Sequence, residues 1–217
     1  MHVLINAAMS VDGKLSTIER RQVRLSGEGD FARVEAIRIG VDAVVVGVGT
    51  VLADDPRLLV PEASLPAGMA QPTRVVFDSN ARTPPYAAVL NGQAPSVLVC
   101  AKNAPAARVE AIRTTGATVI ELPGEHVQVR PALDALADEQ IERVLIEGGG
   151  EMIFSAIEAG VVDALSVYIA PVVIGGADAP TLADGAGFTE TFSEFSLENV
   201  HRLDEGVVLY FTPQQND

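Results

Sequence analysis

The chain of 217 residues has one cysteine, two lysines and no long hydrophobic run, and each scarcity excludes a class of protein or site. Because Cys100 is the only cysteine, neither a disulfide framework nor a cysteine-based zinc site can form within one chain. Cys100 lies in the apolar run SVLVCA, which is typical of a small buried side chain. Apolar runs such as residues 43–46 have the length of a strand and are too short to cross a bilayer.

The first residues, MHVLINAAMSVDGK, contain neither a basic n-region nor a long apolar h-region, so we expect no signal peptide and a cytoplasmic protein. The length fits one large α/β domain. A hydrophobic fraction of 48% indicates a globular protein with a sizeable core. We therefore predict a single domain over residues 1–217.

The formal net charge is −14, and only Lys14 and Lys102 are lysines among the 15 basic residues. A strongly acidic surface repels phosphates, so we expect neither a nucleic acid nor a membrane as partner. High acidity with scarce lysine also suggests a halophilic protein, since salt screens the repulsion between surface carboxylates. Full stability in dilute buffer would contradict that hypothesis.

Hydrophobic periodicity alternates between strands and helices over most of the chain. Strands are predicted in HVLINAAM, DAVVVG, RVVFDS, SVLVCA, ATVIEL and RVLIE. Helices are predicted from Ser26, as N-cap, to about Ile39, and in APAARVEAIRTTG, PALDALADEQ and EMIFSAIEAG. Clustered prolines predict loops in NARTPPYAAVLNGQAP and PEASLPAGMAQP.

The last third of the chain lacks helical patterns. DALSVYIAPVVIGG, FSLENVHRL and GVVLYFT are predicted as strands, and LDEG joins the last two as a hairpin turn. The predicted architecture is α/β, with a mixed, mainly parallel sheet, helices on its faces and a C-terminal antiparallel hairpin.

The stretch RVLIEGGGEM places three glycines between a strand and a helix. A Gly-rich turn that opens a helix presents backbone N–H groups to an anion such as a phosphate. A strand–helix turn that requires positive φ and binds nothing explains the glycines equally well. No Lys-Ser/Thr pair follows, and no G-x-G-x-x-G follows the first strand, so neither a P-loop nor a Rossmann fingerprint is present.

Two further stretches contain residues suited to binding. In VGVGTVLADDPRL a buried strand leads into a loop with Gly47, Gly49, Thr50, Asp54, Asp55 and Arg57. A turn or capping role is expected for one aspartate, and the pair lacks the third ligand of a metal site. Arg57 is a candidate clamp for an anionic group. In AAMSVDGKLS, Asp12-Gly13 predicts a turn, and the residues alone predict a solvated Lys14.

Five stretches, in order, resemble the reductase family of riboflavin biosynthesis. They are AMSVDGKLS, LSGEGDFARVEAIRIGVDAVVVGVGTVLADDPRL, VVFDSNARTP, VLIEGGGEM and VDALSVYIAPVVIGG. The family comprises the C-terminal domain of the bifunctional bacterial deaminase–reductase and the stand-alone archaeal 2,5-diamino-6-ribosylamino-4(3H)-pyrimidinone 5′-phosphate reductases. No H-x-E or P-C-x-x-C occurs in this chain, so the zinc chemistry of the deaminase is not expected.

The resemblance implies a dihydrofolate-reductase-like three-layer fold, NADPH as cofactor (NADH as the alternative) and a homodimer. It also implies a reaction on a small pyrimidine ribose phosphate. Hydride from the nicotinamide reaches C1′ of the ribosylamino group, through its ring-opened imine form, and gives the ribitylamino product. The alternatives are another pterin or pyrimidine reductase of the same fold, or a nucleotide-binding module without turnover.

The resemblance also assigns roles by motif position. The implied cofactor contacts are Thr50, Asp54, Asp78, Ser79, Gly148, Gly149, Gly150 and Glu151. The implied substrate contacts are Lys14, Ser26, Arg38, Arg57, Leu58 and Glu147. Lys14 and Glu147 are the catalytic candidates, with Lys14 polarising the reacting end or relaying a proton. Where many relatives have a threonine and an arginine, this chain has Leu59 and Pro61, so Arg82 or Arg74 is expected to supply the missing phosphate contact. Glu35 likewise stands where many relatives have histidine.

Overall fold

The computed structural model describes residues 1–21 and 23–214. Its residues pack into two compact units. The middle unit consists of Glu35–Leu145 together with Met1, and the terminal unit consists of His2–Val34 and the chain from Ile146 onwards. Such a division shows which residues pack together and not whether either unit folds alone, so the single domain stays a prediction.

The elements alternate along the chain as the periodicity predicts. The helices are α1 Glu28–Ile39, α2 Val48–Asp54, α3 Ala106–Arg113, α4 Val129–Asp138 and α5 Gly150–Glu158. The strands are β1 His2–Ser10, β2 Ala43–Gly47, β3 Thr73–Phe77, β4 Ser96–Ala101, β5 Thr118–Leu122, β6 Arg143–Gly148, β7 Ala164–Ala170, β8 Phe195–Leu203 and β9 Gly206–Pro213. The boundary between the units passes through α1 and β6.

In the middle unit, four parallel strands pair in the order β5-β4-β3-β2. The central strands are short, almost continuous runs of valine and leucine, as expected where a parallel sheet is covered on both faces. Val45, Val75 and Leu98 are fully buried there. All four strands point the same way, so the loops after β2, β3, β4 and β5 lie at one edge, where open α/β sheets bind ligands.

In the terminal unit, β1 pairs in parallel with β7, and β7, β9 and β8 continue as an antiparallel set. The predicted hairpin is confirmed, and Asp204 takes the positive φ of 48° that its turn requires. Tyr168, Ala170 and Val208 form a buried cluster between β7 and β9. The outer strand β8 stays largely exposed, because only β9 pairs with it among the described residues.

Two local predictions are wrong. Residues 48–54 form α2 rather than a loop, because the strand turns into a helix directly at Gly47, whose extended backbone (φ −78°, ψ 154°) is the N-cap. The first helix begins at Glu28, and its N-terminal amides are capped by a different residue from Ser26. The N–H groups of Gly29 and Asp30 donate to the two carboxylate oxygens of Asp204, at 3.1 and 3.0 Å.

In the described part of the chain, no helix is both long enough and apolar enough to span a membrane. The cytoplasmic location stays a prediction.

Candidate functional site

The end of β2 in the middle unit exposes bare backbone. Gly49 lies in the first turn of α2 and is exposed, and outside its chain neighbours and the α2 backbone no described heavy atom lies within 4 Å of the point where a Cβ would be. Thr50 follows it and is half-buried. A ligand can therefore approach the main chain at Gly49, which Thr50 follows in the sequence.

The two aspartates at the end of α2 have different environments. Asp55 ends the helix in the left-handed conformation (φ 42°), and its Oδ1 accepts a hydrogen bond of 2.7 Å from the N–H of Ala88. This contact confirms the predicted turn role for one aspartate. Asp54 is exposed, but partial desolvation raises the pKa of its carboxyl above the ordinary value. A carboxyl destabilised in its charged form favours a partner that donates a hydrogen bond to it.

Residues 57–60 bring together three of the predicted substrate contacts. Arg38, on α1, donates from Nη1 to the carbonyl of Leu59 at 2.8 Å, directly after Arg57 and Leu58. Leu58 is buried and has φ 52°, which is rare for a bulky side chain and persists only where the surroundings enforce it. The Arg57 side chain is exposed.

The turn after β3 is organised by Asp78, which is fully buried. Its Oδ2 accepts from both the N–H and the hydroxyl of Thr83, at 2.6 and 2.8 Å. Its Oδ1 has no hydrogen-bond partner among the described residues and lies 3.9 Å from Nε of Arg82. Ser79 is half-buried, and its Oγ accepts from the N–H of Val127 at 3.0 Å. Asp78 therefore holds the turn, while Ser79 and Arg82 lie nearer the surface.

The two arginines considered for the missing phosphate contact differ sharply. Arg74 is wholly buried near the start of β3 and donates to the carbonyls of Ala88 and Ala94 and to Oδ1 of Asn91. Burial lowers its pKa below the ordinary value. A guanidinium enclosed by protein oxygens contacts no ligand, so the expectation for Arg74 is wrong. Arg82 is half exposed, on the loop that follows the other end of β3.

In the terminal unit, Lys14 is not a solvated surface lysine. It is half-buried, its N–H donates to Oγ of Ser10 at 2.9 Å, and its Nζ donates to the carbonyl of Ala179 at 3.1 Å. Its backbone also forms an antiparallel bridge with Thr181. Lys14 is therefore held at its backbone and at the end of its side chain.

The three glycines after β6 have three different environments. Gly148 has φ 131°, which only glycine adopts readily, and Gly149 is the extended N-cap of α5. Gly150 packs so closely against the carbonyl of Thr181 and the carboxylate of Asp184 that a Cβ would collide with both. The space beside Gly150 is therefore filled by protein. Glu147 is half-buried at the end of β6, and Glu151 is exposed in the first turn of α5.

Ser26 lies just before α1, in a segment shaped by Asp204. A Cβ on Gly27 or Gly29 would collide with the Asp204 side chain, so a larger residue at either position would displace its carboxylate. The Ser26 side chain is half-buried there. The sequence contains no signal for the contact between Gly29 and Asp204, because 175 positions separate them.

Within each unit, several predicted site residues are brought together. Arg38 meets the segment of Arg57 and Leu58, and Thr181 contacts both Lys14 and Gly150. Sequence reasoning overlooked Asp12 and Asp184, which organise the surroundings of Lys14 and Gly150. Its only signal for Asp12 was the Asp12-Gly13 turn. Among the described residues, no group of three or more His, Cys, Asp or Glu side chains could hold a metal ion.

Comparison with known proteins identifies the family of the chain. The family model described as the RibD C-terminal domain matches residues 1–209. The chain is 41% identical to the 2,5-diamino-6-ribosylamino-4(3H)-pyrimidinone 5′-phosphate reductase of Methanothermobacter thermautotrophicus, over 97% of each chain.

Solved structures show the same fold. Acinetobacter baumannii RibD matches with a TM-score of 0.82 and 26% identity over 99% of this chain, which spans only 58% of that longer protein. The dihydrofolate reductase of Enterococcus faecalis, determined with NADP(H), matches at a TM-score of 0.55 and 14% identity, covering 99% of this chain and 97% of that one. The predicted dihydrofolate-reductase-like α/β fold is confirmed, and the chain belongs to the RibD C-terminal domain family.

Proposed function

We propose that this protein is the NADPH-dependent reductase of riboflavin biosynthesis that converts 2,5-diamino-6-ribosylamino-4(3H)-pyrimidinone 5′-phosphate into its ribitylamino product. The observation that carries the proposal is the match to a reductase of that name at 41% identity over 97% of each chain. The likeness to dihydrofolate reductase has 14% identity and supports the fold alone.

The middle unit fits a nicotinamide dinucleotide. Its open backbone at Gly49, with Thr50 and Asp54 on the same helix, offers room and hydrogen-bonding groups after β2. Ser79 follows the neighbouring strand β3. When bound, the dinucleotide supplies the hydride, and the protein supplies binding, orientation and electrostatics. In the terminal unit, Gly148, Gly149, Gly150 and Glu151 are proposed as further contacts. Because Gly150 faces protein, its backbone and not the space beside it is the contacting group.

Arg82 supports NADPH rather than NADH as the cofactor. Its half-exposed guanidinium lies beside the turn of Asp78 and Ser79. An arginine near the adenosine ribose accommodates a 2′-phosphate, whereas an accessible carboxylate there favours the free 2′-hydroxyl of NADH. Asp78 is fully buried and bonded to Thr83, so its carboxylate is not accessible to a ribose.

The substrate phosphate is proposed to bind cationic side chains, although the net charge of the chain is −14. Lys14, Arg38 and Arg57 supply these charges, and charge-assisted bonds to phosphate are the strong ones. The Nζ of Lys14 donates a hydrogen bond to the carbonyl of Ala179. Lys14 is the group proposed to polarise the substrate or to pass a proton to it. Further proposed substrate contacts are Leu58 in the middle unit and Ser26 and Glu147 in the terminal unit, with the Glu147 carboxylate orienting the polar groups of the substrate.

A homodimer through β8 is proposed as the assembled form. Leu197 and Val200 on β8 are more than half exposed, as is Phe192 just before it. Exposed apolar groups on an edge strand mark an interaction surface. Light scattering should give a dimer mass for the wild type and a monomer mass for Leu197→Asp/Val200→Asp. A monomeric wild type would remove this part of the proposal.

The function is tested by following NADPH oxidation through its absorbance. Turnover is expected with the ribosylamino-pyrimidinone phosphate and not with dihydrofolate. Turnover with dihydrofolate alone would overturn the pathway assignment, and NADPH binding without turnover of either compound would show a nucleotide-binding module. Arg82→Ala tests the cofactor preference, because it should raise KM for NADPH and leave KM for NADH unchanged.

A further inference from the structure

The segment that follows β7, residues 171–184 and here called the strap, contacts two parts of the terminal unit that carry predicted site residues. Near Lys14, the N–H of Leu15 donates to the carbonyl of Pro180 at 2.8 Å. Near the glycine turn, the N–H of Asp184 donates to the carbonyl of Gly150 at 3.1 Å. The strap therefore connects the loop after β1 with the first turn of α5.

The near end of the strap is fastened by the carboxylate of Asp12. Oδ2 of Asp12 accepts from the N–H of Gly175 at 2.7 Å, and Oδ1 accepts from the N–H of Ile174 at 3.1 Å. The hydroxyl of Ser10 donates to Oδ1 at 2.6 Å. Hydrogen bonds to an ionised acceptor are about twice as strong as neutral ones. Accordingly, the Ser10 hydroxyl, followed by the two amides, lowers the pKa of Asp12 to about 2.

Ser10 links this carboxylate to the backbone of Lys14. The Ser10 side chain is fully buried, and its hydroxyl donates to Asp12 while it accepts from the N–H of Lys14 at 2.9 Å. The N–H of Ser10 in turn donates to the carbonyl of Lys14 at 2.9 Å. Because the hydroxyl has one proton, its donation to Asp12 leaves its lone pairs directed to Lys14.

The strap also holds the other end of Lys14. The carbonyl of Ala179 accepts from Nζ, four residues after the amide of Gly175 that Asp12 binds. A lysine side chain loses rotamer entropy when it is fixed in one position. Because the strap already holds Nζ, this entropy is lost before any substrate binds.

We propose that Asp12 is a positioning residue for Lys14, acting through Ser10 on its backbone and through the strap on its Nζ. Asp12 itself contacts no substrate or cofactor in this scheme. The inference rests on the proposed function only for the part that Lys14 plays in the reaction. The positioning itself depends on contacts within the terminal unit.

The test compares Asp12→Asn and Asp12→Ala with a matched control, Asp163→Asn. Asp163 also accepts a backbone N–H through its carboxylate, from Val3 at 2.7 Å, but at the opposite end of β1. Amide hydrogen exchange measured by mass spectrometry reports on residues 10–15 and 171–184 without turnover. Steady-state kinetics and NADPH binding are then measured on the same three variants.

Both Asp12 variants should accelerate exchange in the two segments by about tenfold, and Asp163→Asn should not. Their kcat/KM for the pyrimidine phosphate should fall by about 10- to 100-fold, because a displacement of about 1 Å is enough for such a loss. The dissociation constant of NADPH should stay within about twofold of wild type. Asp12→Asn should be the milder variant, since its amide oxygen still accepts one hydrogen bond.

Two results would overturn the proposal. One is unchanged exchange in residues 10–15 and 171–184 of Asp12→Ala, and the other is accelerated exchange with an unchanged kcat/KM. An equal loss of kcat/KM in Asp163→Asn and Asp12→Asn would also overturn it, because general destabilisation would then explain both losses. If the wild type does not turn over the pyrimidine phosphate, the proposed function fails, and the exchange result alone decides whether Asp12 positions the Lys14 loop and the strap.

Discussion

Two helices, α2 in the middle unit and α5 in the terminal unit, start directly after a buried strand, and both have a glycine N-cap and a glycine in the first turn. The reasons for the second glycine are opposite. Beside Gly49 the space is open, whereas beside Gly150 it is filled by Thr181 and Asp184 of the strap. The same short pattern therefore leaves backbone accessible to a ligand in one unit and makes room for the protein's own chain in the other.

The polar groups near these glycines differ in the same way. Around Gly150 and Lys14, carbonyls and carboxylates of the strap accept hydrogen bonds from protein donors. Around Gly49, Asp54 is exposed and the pKa of its carboxyl is raised by desolvation. A packed region positions its side chains in advance, and an open region is completed by what binds to it.

Replacing Lys14 is expected to have the largest effect. That effect should be confined to the packed region around Lys14 and Gly150. Lys14→Ala should lower kcat/KM for the pyrimidine phosphate by about 100-fold, the usual contribution of a positioned acid or base. NADPH binding, measured by fluorescence titration, should not change. An equal loss of NADPH affinity would show that Lys14 also supports cofactor binding.

A methyl group on Gly150 should be the next most damaging change. Gly150→Ala places a Cβ against the Thr181 carbonyl, so the strap must shift, at a cost of about 1–3 kcal/mol in the free energy of unfolding. Chemical denaturation measures this loss. An unchanged midpoint would mean that the strap gives way freely, which would contradict its role in holding Lys14.

The same methyl group on Gly49 should change the free energy of unfolding in the opposite direction. Gly49→Ala should stabilise the protein by up to about 1 kcal/mol, because alanine is the better residue within an exposed helix and nothing lies in its way. It should also weaken NADPH binding if the dinucleotide approaches the backbone there. Unchanged NADPH affinity would remove Gly49 from the proposed cofactor contacts.

The smallest effect is expected from acid. The folded-state pKa of Asp12 is about 2, below its ordinary value of 3.8, so its stabilising contribution is complete above the ordinary value and lost as the pH falls toward 2. Between pH 4 and 2, the melting temperature of the wild type should therefore fall more steeply than that of Asp12→Asn. The difference should develop over about 1–2 pH units. Parallel curves would show that the Asp12 contacts add nothing to stability.

The long elements could be predicted because their periodicity is strong. FSLENVHRL is β8 residue for residue, and the turn at LDEG follows it as expected. The helix α2 was missed because its sequence, VGTVLAD, combines a glycine with β-branched residues that disfavour helices. Ser26 is a good N-cap residue, but the α1 amides are bound by Asp204, which is remote in sequence.

For the candidate site, the sequence supplied the residues and the tertiary structure supplied their partners. The residue type alone does not distinguish Arg74 from Arg82. In the structure, the Arg74 guanidinium is enclosed, whereas that of Arg82 is half exposed. Likewise, Asp12 is a turn residue in the sequence and becomes an anchor only because the strap returns to it after more than 150 residues.

By itself the sequence determined the strand and helix order, the acidic surface and the motifs that resemble a reductase family, since these depend on local composition and spacing. Only the tertiary structure decided which glycines face solvent and which face the chain, and which amides each carboxylate binds. Such contacts join residues far apart in sequence, and their strength comes from burial and close approach, which no local pattern records.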